Sequence, residues 1–115
     1  MFAFLYGLKS ISPAALQASL PRGGVAIFDL SARGRWEAAH VPGALNLAVD
    51  FTRADLPADA SMPLVFYCSN PLCRKAPDAA RRARQMGFAG VKVMSAGITG
   101  WLAAGLATET VGDLA

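Results

Sequence analysis

Residues 63–86 read Pro63-Leu64-Val65-Phe66-Tyr67-Cys68-Ser69-Asn70-Pro71-Leu72-Cys73-Arg74-Lys75-Ala76-Pro77-Asp78-Ala79-Ala80-Arg81-Arg82-Ala83-Arg84-Gln85-Met86. The first six are a continuous apolar run, the pattern of a strand buried on both faces. From Ala76 the period changes. Ala76, Ala79, Ala80, Ala83 and Met86 recur at helical spacing, with Asp78, Arg81, Arg82 and Gln85 opposite them. Pro77 fits the first turn of such a helix and Gly87 closes it. A buried strand that runs through a short loop into an amphipathic helix is the repeating unit of a parallel α/β sheet.

The same alternation extends outward in both directions. Val25-Ala26-Ile27-Phe28-Asp29-Leu30 is a second buried strand, bounded by glycines and interrupted by Asp29 near its C-terminal end. Before it, Ser12-Pro13 reads as an N-cap with proline at the first helical position, opening a short helix with Leu16 and Leu20 on one side. After it come a helical stretch at residues 35–39, a turn at Val41-Pro42-Gly43 and a short strand at residues 44–47. Residues 49–62 read as loop with one helical turn. Val91-Lys92-Val93-Met94 is a further strand, and residues 98–105 form a last helix carrying Trp101. The apolar segment 1–10 reads as an edge strand or docked N-terminal arm. The expected architecture is a single domain spanning residues 1–115, an α/β sandwich around a mostly parallel sheet.

Composition agrees with one packed core. The chain has 115 residues, 54% of them apolar and 17% charged, which argues against disorder. Its net charge of +3 comes without basic tails or long cationic runs, so nucleic acid is not an expected partner. No stretch approaches the ~20 apolar residues of a membrane span, and residues 1–8 lack the basic start of a signal peptide. Five basic residues between Arg74 and Arg84 face the single Asp78, a local net of 5 − 1 = +4. Of these, Arg81, Arg82 and Arg84 read as a solvated helix face. Two cysteines five positions apart suit local chemistry better than a disulfide framework, so the expected setting is reducing and cytoplasmic.

The chemistry is expected where the first strand meets its helix. Ligands of open α/β sheets bind beyond the carboxyl ends of the strands. Cys68 stands there, before the loop amides and the positive end of a helix dipole, with Arg74 and Lys75 adding charge. These conditions favour thiolate and make a cysteine nucleophilic. The same loop offers backbone N–H groups to a small oxyanion. Cys73 admits three readings: a resolving thiol, a second sulfur acceptor, or a small apolar anchor at the helix start. Two cysteines and the lone His40 fall short of a four-ligand metal set. His40, within Ala39-His40-Val41-Pro42-Gly43, reads as a structural histidine bonded to backbone in a tight turn. Trp36 and Trp101 read as packing residues.

Three blocks in order resemble the rhodanese-like family. The first is Asp29-Leu30, then Trp36 and His40-Val41-Pro42-Gly43-Ala44-Leu45-Asn46. The second is Leu64-Val65-Phe66-Tyr67-Cys68 with its loop, Arg74, and the alanine-rich helix ending at Met86-Gly87-Phe88. The third is Ser95-Ala96-Gly97-Ile98-Thr99-Gly100-Trp101-Leu102-Ala103-Ala104-Gly105. The resemblance runs from about Ser12 to Glu109. It implies a three-layer sandwich, a five-stranded mostly parallel sheet with helices on both faces. It also implies sulfur transfer without a cofactor. Cys68 would take sulfane sulfur from an anionic donor such as thiosulfate and carry it as a persulfide. It would then pass the sulfur to cyanide, a thiol or a protein acceptor. Catalysis would fall to Cys68 and Arg74. Ser69, Asn70, Pro71, Leu72, Cys73 and Lys75 would form the anion-binding loop, and Asp29, His40 and Trp101 would be structural.

The loop departs from the family's usual pattern. Arginine ordinarily stands five positions after the cysteine; here Cys73 stands there, with Arg74 sixth and Pro71 stiffening the turn. That longer spacing is similar to rhodanese-fold phosphatases and arsenate reductases, although Ser69-Asn70-Pro71-Leu72 lacks an acidic partner for the arginine. Ser31 and Arg35 stand where the family often has arginine and glutamate. Alternatives to sulfur transfer are therefore dithiol redox chemistry or oxyanion reduction by Cys68 and Cys73, a non-catalytic binding module, and phosphatase activity.

Overall fold

The computed structural model describes residues 7–111. Five strands form one sheet: β1 (Lys9–Ser10), β2 (Ala26–Asp29), β3 (Leu45–Asn46), β4 (Leu64–Tyr67) and β5 (Val91–Val93). Their spatial order is β1-β5-β4-β2-β3, and every pairing is parallel. Three helices connect strands, α1 (Pro13–Ser19), α2 (Arg33–Ala38) and α3 (Lys75–Gln85), and a fourth, α4 (Gly97–Ala103), follows β5. The fold is thus the expected α/β class with a five-stranded parallel sheet. Of the segment read as an arm, Lys9 and Ser10 are an edge strand beside β5, while residues 1–6 lie outside the described residues.

The continuous apolar run of β4 is explained by its two neighbours. Side chains of a strand alternate between faces. Leu64, Phe66 and Cys68 join a core with Phe28, Leu30, Phe51, Phe88 and the alanines of α3. Val65 and Tyr67 point the other way, to a second core with Leu16, Ile27, Val41, Met94 and Trp101. A central strand covered on both sides has no polar positions to spare. This parity puts the Cys68 side chain on the α3 face.

Asp29 obeys the same parity with an opposite chemical outcome. It pairs in register with Tyr67 and is almost fully buried. One carboxylate oxygen accepts from Ser31 N at 2.7 Å. The Tyr67 hydroxyl accepts from Val41 N at 3.0 Å. Burial, and next the Asp29 carboxylate, push the Tyr67 phenol well above its ordinary range, so it stays protonated. Asn46 Nδ2 donates to the carbonyls of Asp29 and Ser31 at 3.1 and 2.9 Å, holding the C-terminal ends of β2 and β3 together.

Local signals set the helix ends with small shifts from expectation. Ser12 Oγ caps α1 by accepting from Ala15 N at 3.1 Å, with Pro13 in the first turn. Leu20–Arg22 continue as a 3₁₀ turn through Pro21. The single turn expected within residues 49–62 is a 3₁₀ turn at Arg53–Asp55, closed by a reciprocal Thr52–Asp55 capping box. Arg84 is exposed as the sequence suggested, whereas Arg82 departs from a purely solvated face. Arg82 donates to the carbonyls of Val49 and Phe51 at 2.5 and 2.6 Å and lies 4.2 Å over the Phe51 ring. Arg84 donates to Gly7 O at 3.1 Å. A guanidinium reaches free carbonyls of a neighbouring loop, whereas helical periodicity reports only the absence of apolar side chains.

Candidate active site

Cys68 follows β4 directly, at the C-terminal edge of the central strand, and its loop enters α3 at Lys75. The cysteine is 3% exposed and packs with the Ala76 and Ala79 turn of the helix. Arg74 is the N-cap residue of α3, and its carbonyl accepts from Asp78 N at 3.0 Å. Arg74 and Lys75 are both exposed at the mouth of the loop.

The loop is built on a floor supplied by α4. Ile98 N donates to Cys68 O at 2.9 Å and Thr99 N to Ser69 O at 3.1 Å. Gly97 lies beneath them with φ +67°. A Cβ there would stand 2.7 Å from Asn70 N, 2.8 Å from Cys68 O and 2.8 Å from Ser69 C. Only glycine allows both the left-handed backbone and this approach.

The outer half of the loop is organised by Asn70. Its side-chain carbonyl accepts from Leu72 N at 2.9 Å, and its backbone carbonyl accepts from Cys73 N at 3.2 Å. These two turns bring Cys73 back over Cys68, and the two are joined by a disulfide with Cα atoms 6.4 Å apart. That separation lies in the ordinary range for a bridged pair. In this closed loop the amides of Leu72 and Cys73 are engaged internally, and Pro71 has none to offer. Leu72 is turned outward, 78% exposed.

The residues singled out from sequence therefore fall into two groups. Ser69, Asn70, Pro71, Leu72, Cys73, Arg74 and Lys75 surround Cys68 in one loop. A cleft of about 400 Å³ adjoins it, lined by Ser31, Arg33, Asn46, Val49 and Lys75. Another, of about 410 Å³, lies at the opposite end of the strands around Val25, Pro63 and Gly90 and carries no cysteine, histidine or carboxylate. Asp29, His40 and Trp101 lie in or beside the second core. His40 is buried, with Nδ1 2.6 Å from Trp36 O, so that nitrogen carries the proton and donates. Its ring stacks on Trp36 at 4.6 Å, and its Nε2 lies 3.8 Å from Glu109 Oε1. Trp101 Nε1 donates to Ala107 O at 2.9 Å. Gly97 was not singled out by itself. Its position between a strand and a helix was the available signal.

The family model described as rhodanese-like domain matches residues 12–104. An HTH-type transcriptional regulator of Mycobacterium tuberculosis is 33% identical over 103 residues, which is 87% of this chain and 44% of that protein. The chain thus spans less than half the length of this curated relative. A solved thiosulfate sulfurtransferase from Pseudomonas aeruginosa superposes with a TM-score of 0.80 at 25% identity, over 90% of this chain and 19% of that one. A human single-domain sulfurtransferase gives 0.68 at 25% identity, over 82% of this chain and 95% of that one.

Proposed function

The chain belongs to the rhodanese-like domain family, and from that footing we propose that it is a sulfurtransferase carrying sulfane sulfur on Cys68. The observation that carries this reading is the placement of Cys68 at the C-terminal edge of the central strand, under the start of α3, with Arg74 at the helix N-cap. Such a thiol meets a dipole and a cation, and so does the anion it would attack. The similarity to two sulfurtransferases supports the same chemistry.

The reaction balances without a cofactor. The Cys68 thiolate attacks the outer sulfur of thiosulfate, the S–S bond of the donor breaks, and sulfite leaves with the electron pair. The persulfide on Cys68 then yields its outer sulfur to cyanide, to a low-molecular-weight thiol or to the thiol of a partner protein, and the thiolate returns. Arg74, with Lys75 beside it, holds the donor's sulfonate end and stabilises negative charge on sulfur. The bridge to Cys73 must be open for the first step. A reducing cytoplasm, the setting proposed from cysteine usage, would keep it open.

A second reading rests on the bridge itself. Cys68 and Cys73 could cycle between dithiol and disulfide as a redox pair, with or without an oxyanion substrate. The test separates the two. Thiocyanate formation from thiosulfate and cyanide is measured for the reduced protein, Cys68→Ser and Cys73→Ser, together with intact mass after thiosulfate. Sulfur transfer expects turnover, lost in Cys68→Ser and only lowered in Cys73→Ser, and an adduct of about 32 Da, one sulfur, on Cys73→Ser, where no second thiol can discharge it. Equal loss in both variants favours the redox pair. Absence of turnover and adduct with accessible thiols sinks the sulfurtransferase reading.

A further inference from the structure

We propose that Cys73 discharges the Cys68 persulfide within the loop, releasing hydrosulfide, so that this domain reduces sulfane sulfur to sulfide. The inference rests on the sulfur-transfer reading above and adds a product and a role for the second cysteine. Its starting point is that the pairing of the two cysteines is imposed by backbone on both sides. Cys68 and Ser69 are tied to Ile98 and Thr99 of α4. Cys73 is turned inward by the carbonyl of Asn70, while Asn70 Oδ1 fixes Leu72, and the next residues enter α3. None of these bonds uses sulfur. The thiols therefore remain facing each other when the bridge is reduced.

The contact is also between the right atoms. Cys73 Sγ meets Cys68 Sγ itself, which in the loaded protein is the inner sulfur of the persulfide. A thiolate at this place attacks the inner sulfur; it does not lie one bond farther out, where it would collect the outer sulfur. In the step, the Cys73 thiolate forms a bond to Cys68 Sγ and the Cys68–outer sulfur bond breaks. The outer sulfur departs with that electron pair and the persulfide proton as HS⁻. The two thiols are oxidised to the disulfide and the sulfane sulfur is reduced. Thiosulfate plus the dithiol thus gives sulfite, hydrosulfide and the bridged protein. An external dithiol or low-molecular-weight thiol must then reduce the bridge before the next cycle. Held against its target, Cys73 acts at an effective concentration far above that of a free thiol, and hydrosulfide leaves more readily than an alkyl thiolate. The closed loop seen here is the end state of that turnover.

The experiment is a single turnover of the reduced, desalted full chain with thiosulfate, without cyanide or added thiol, for wild type and Cys73→Ser. Sulfide is trapped and counted, and the alkylated protein is weighed. The expected result is about one equivalent of sulfide per wild-type chain with a mass loss of about 2 Da on forming the bridge. Cys73→Ser should keep the adduct of about 32 Da and release no sulfide until a thiol is added. Wild type that keeps its adduct without releasing sulfide overturns the proposal while leaving sulfur transfer standing. So does release from Cys73→Ser at the wild-type rate. Absence of sulfur loading in both proteins refutes sulfur transfer from thiosulfate, and the reverse step then decides. Bridged wild type given hydrosulfide alone should gain about 34 Da, with the persulfide mapped to Cys68; a bridge that resists hydrosulfide yet opens with dithiothreitol overturns the proposal.

Discussion

Replacing Gly97 by alanine should strike both stability and chemistry, and the size of the effect follows from geometry. The residue has φ +67°, and its added Cβ would lie 2.7–2.8 Å from three backbone atoms of residues 68–70. The left-handed backbone costs an alanine about 1–2 kcal/mol. Forcing a methyl against fixed backbone adds about 1–3 kcal/mol. The sum, about 2–5 kcal/mol, is a large share of the roughly 5–15 kcal/mol that holds a domain folded. At about 4 °C per kcal/mol for a chain of this size, the melting temperature should fall by roughly 8–20 °C. Relief can come only by lifting the loop, which moves Cys68 relative to Arg74, so thiocyanate formation should fall further than the unfolded fraction explains. The control is Gly34→Ala in α2, where a Cβ meets nothing within 4 Å and φ is unstrained. That change should leave the protein unchanged or stabilise it by up to about 1 kcal/mol. Thermal unfolding followed by circular dichroism, with activity measured well below the transition, reads both effects. If Gly97→Ala melts with Gly34→Ala and keeps full activity, the loop does not rest on that glycine.

Tyr67→Phe leaves Val41 N without its acceptor inside the second core and should cost about 1–3 kcal/mol, seen as a lower urea midpoint at constant slope. The same tyrosine sets an alkaline limit. Its folded pKa is raised, so above about pH 10 the unfolded chain loses a proton that the folded chain keeps, and stability should fall by up to about 1.4 kcal/mol per pH unit. Tyr67→Phe should flatten that fall; an identical slope in the variant would refute the assignment. Arg82→Ala removes two bonds to the carbonyls of Val49 and Phe51 and the stacking on Phe51, with an expected loss of about 1–3 kcal/mol in chemical denaturation; no measurable loss would return Arg82 to the solvated face. Arg74→Ala should lower kcat/KM for thiosulfate about 100-fold and leave the melting temperature within the scatter of surface substitutions. Equal activity would remove Arg74 from the anion site.

The parts of the fold legible in the chain were those carried by local period. Residues 63–68 declared a strand covered on both faces, and the alanines from 76 to 83 declared its helix, because burial imposes a period of two or of 3.6 on nearby residues. The position of Cys68 between them followed. What depends on residues far apart in sequence was hidden. Nothing near Asp29 announces that it will lie beside Tyr67, because that contact exists only once β2 and β4 are in register. The bonds of Arg82 are hidden for the same reason: the carbonyls it binds belong to a loop 31–33 positions away. The three readings of Cys73 stay open in the sequence because spacing cannot say which way a loop side chain turns; two acceptors on Asn70 set that direction, toward Cys68.

The floor beneath the reactive loop has a further use. Ile98 and Thr99 donate their amide hydrogens to the carbonyls of Cys68 and Ser69, so those hydrogens meet solvent deuterium only when the loop separates from α4. Their exchange rates therefore count loop openings from a position that contains no sulfur and takes no part in proton or group transfer. Compared between dithiol, persulfide and bridged protein, two backbone resonances would give the free energy of opening in each chemical state without any label on the cysteines.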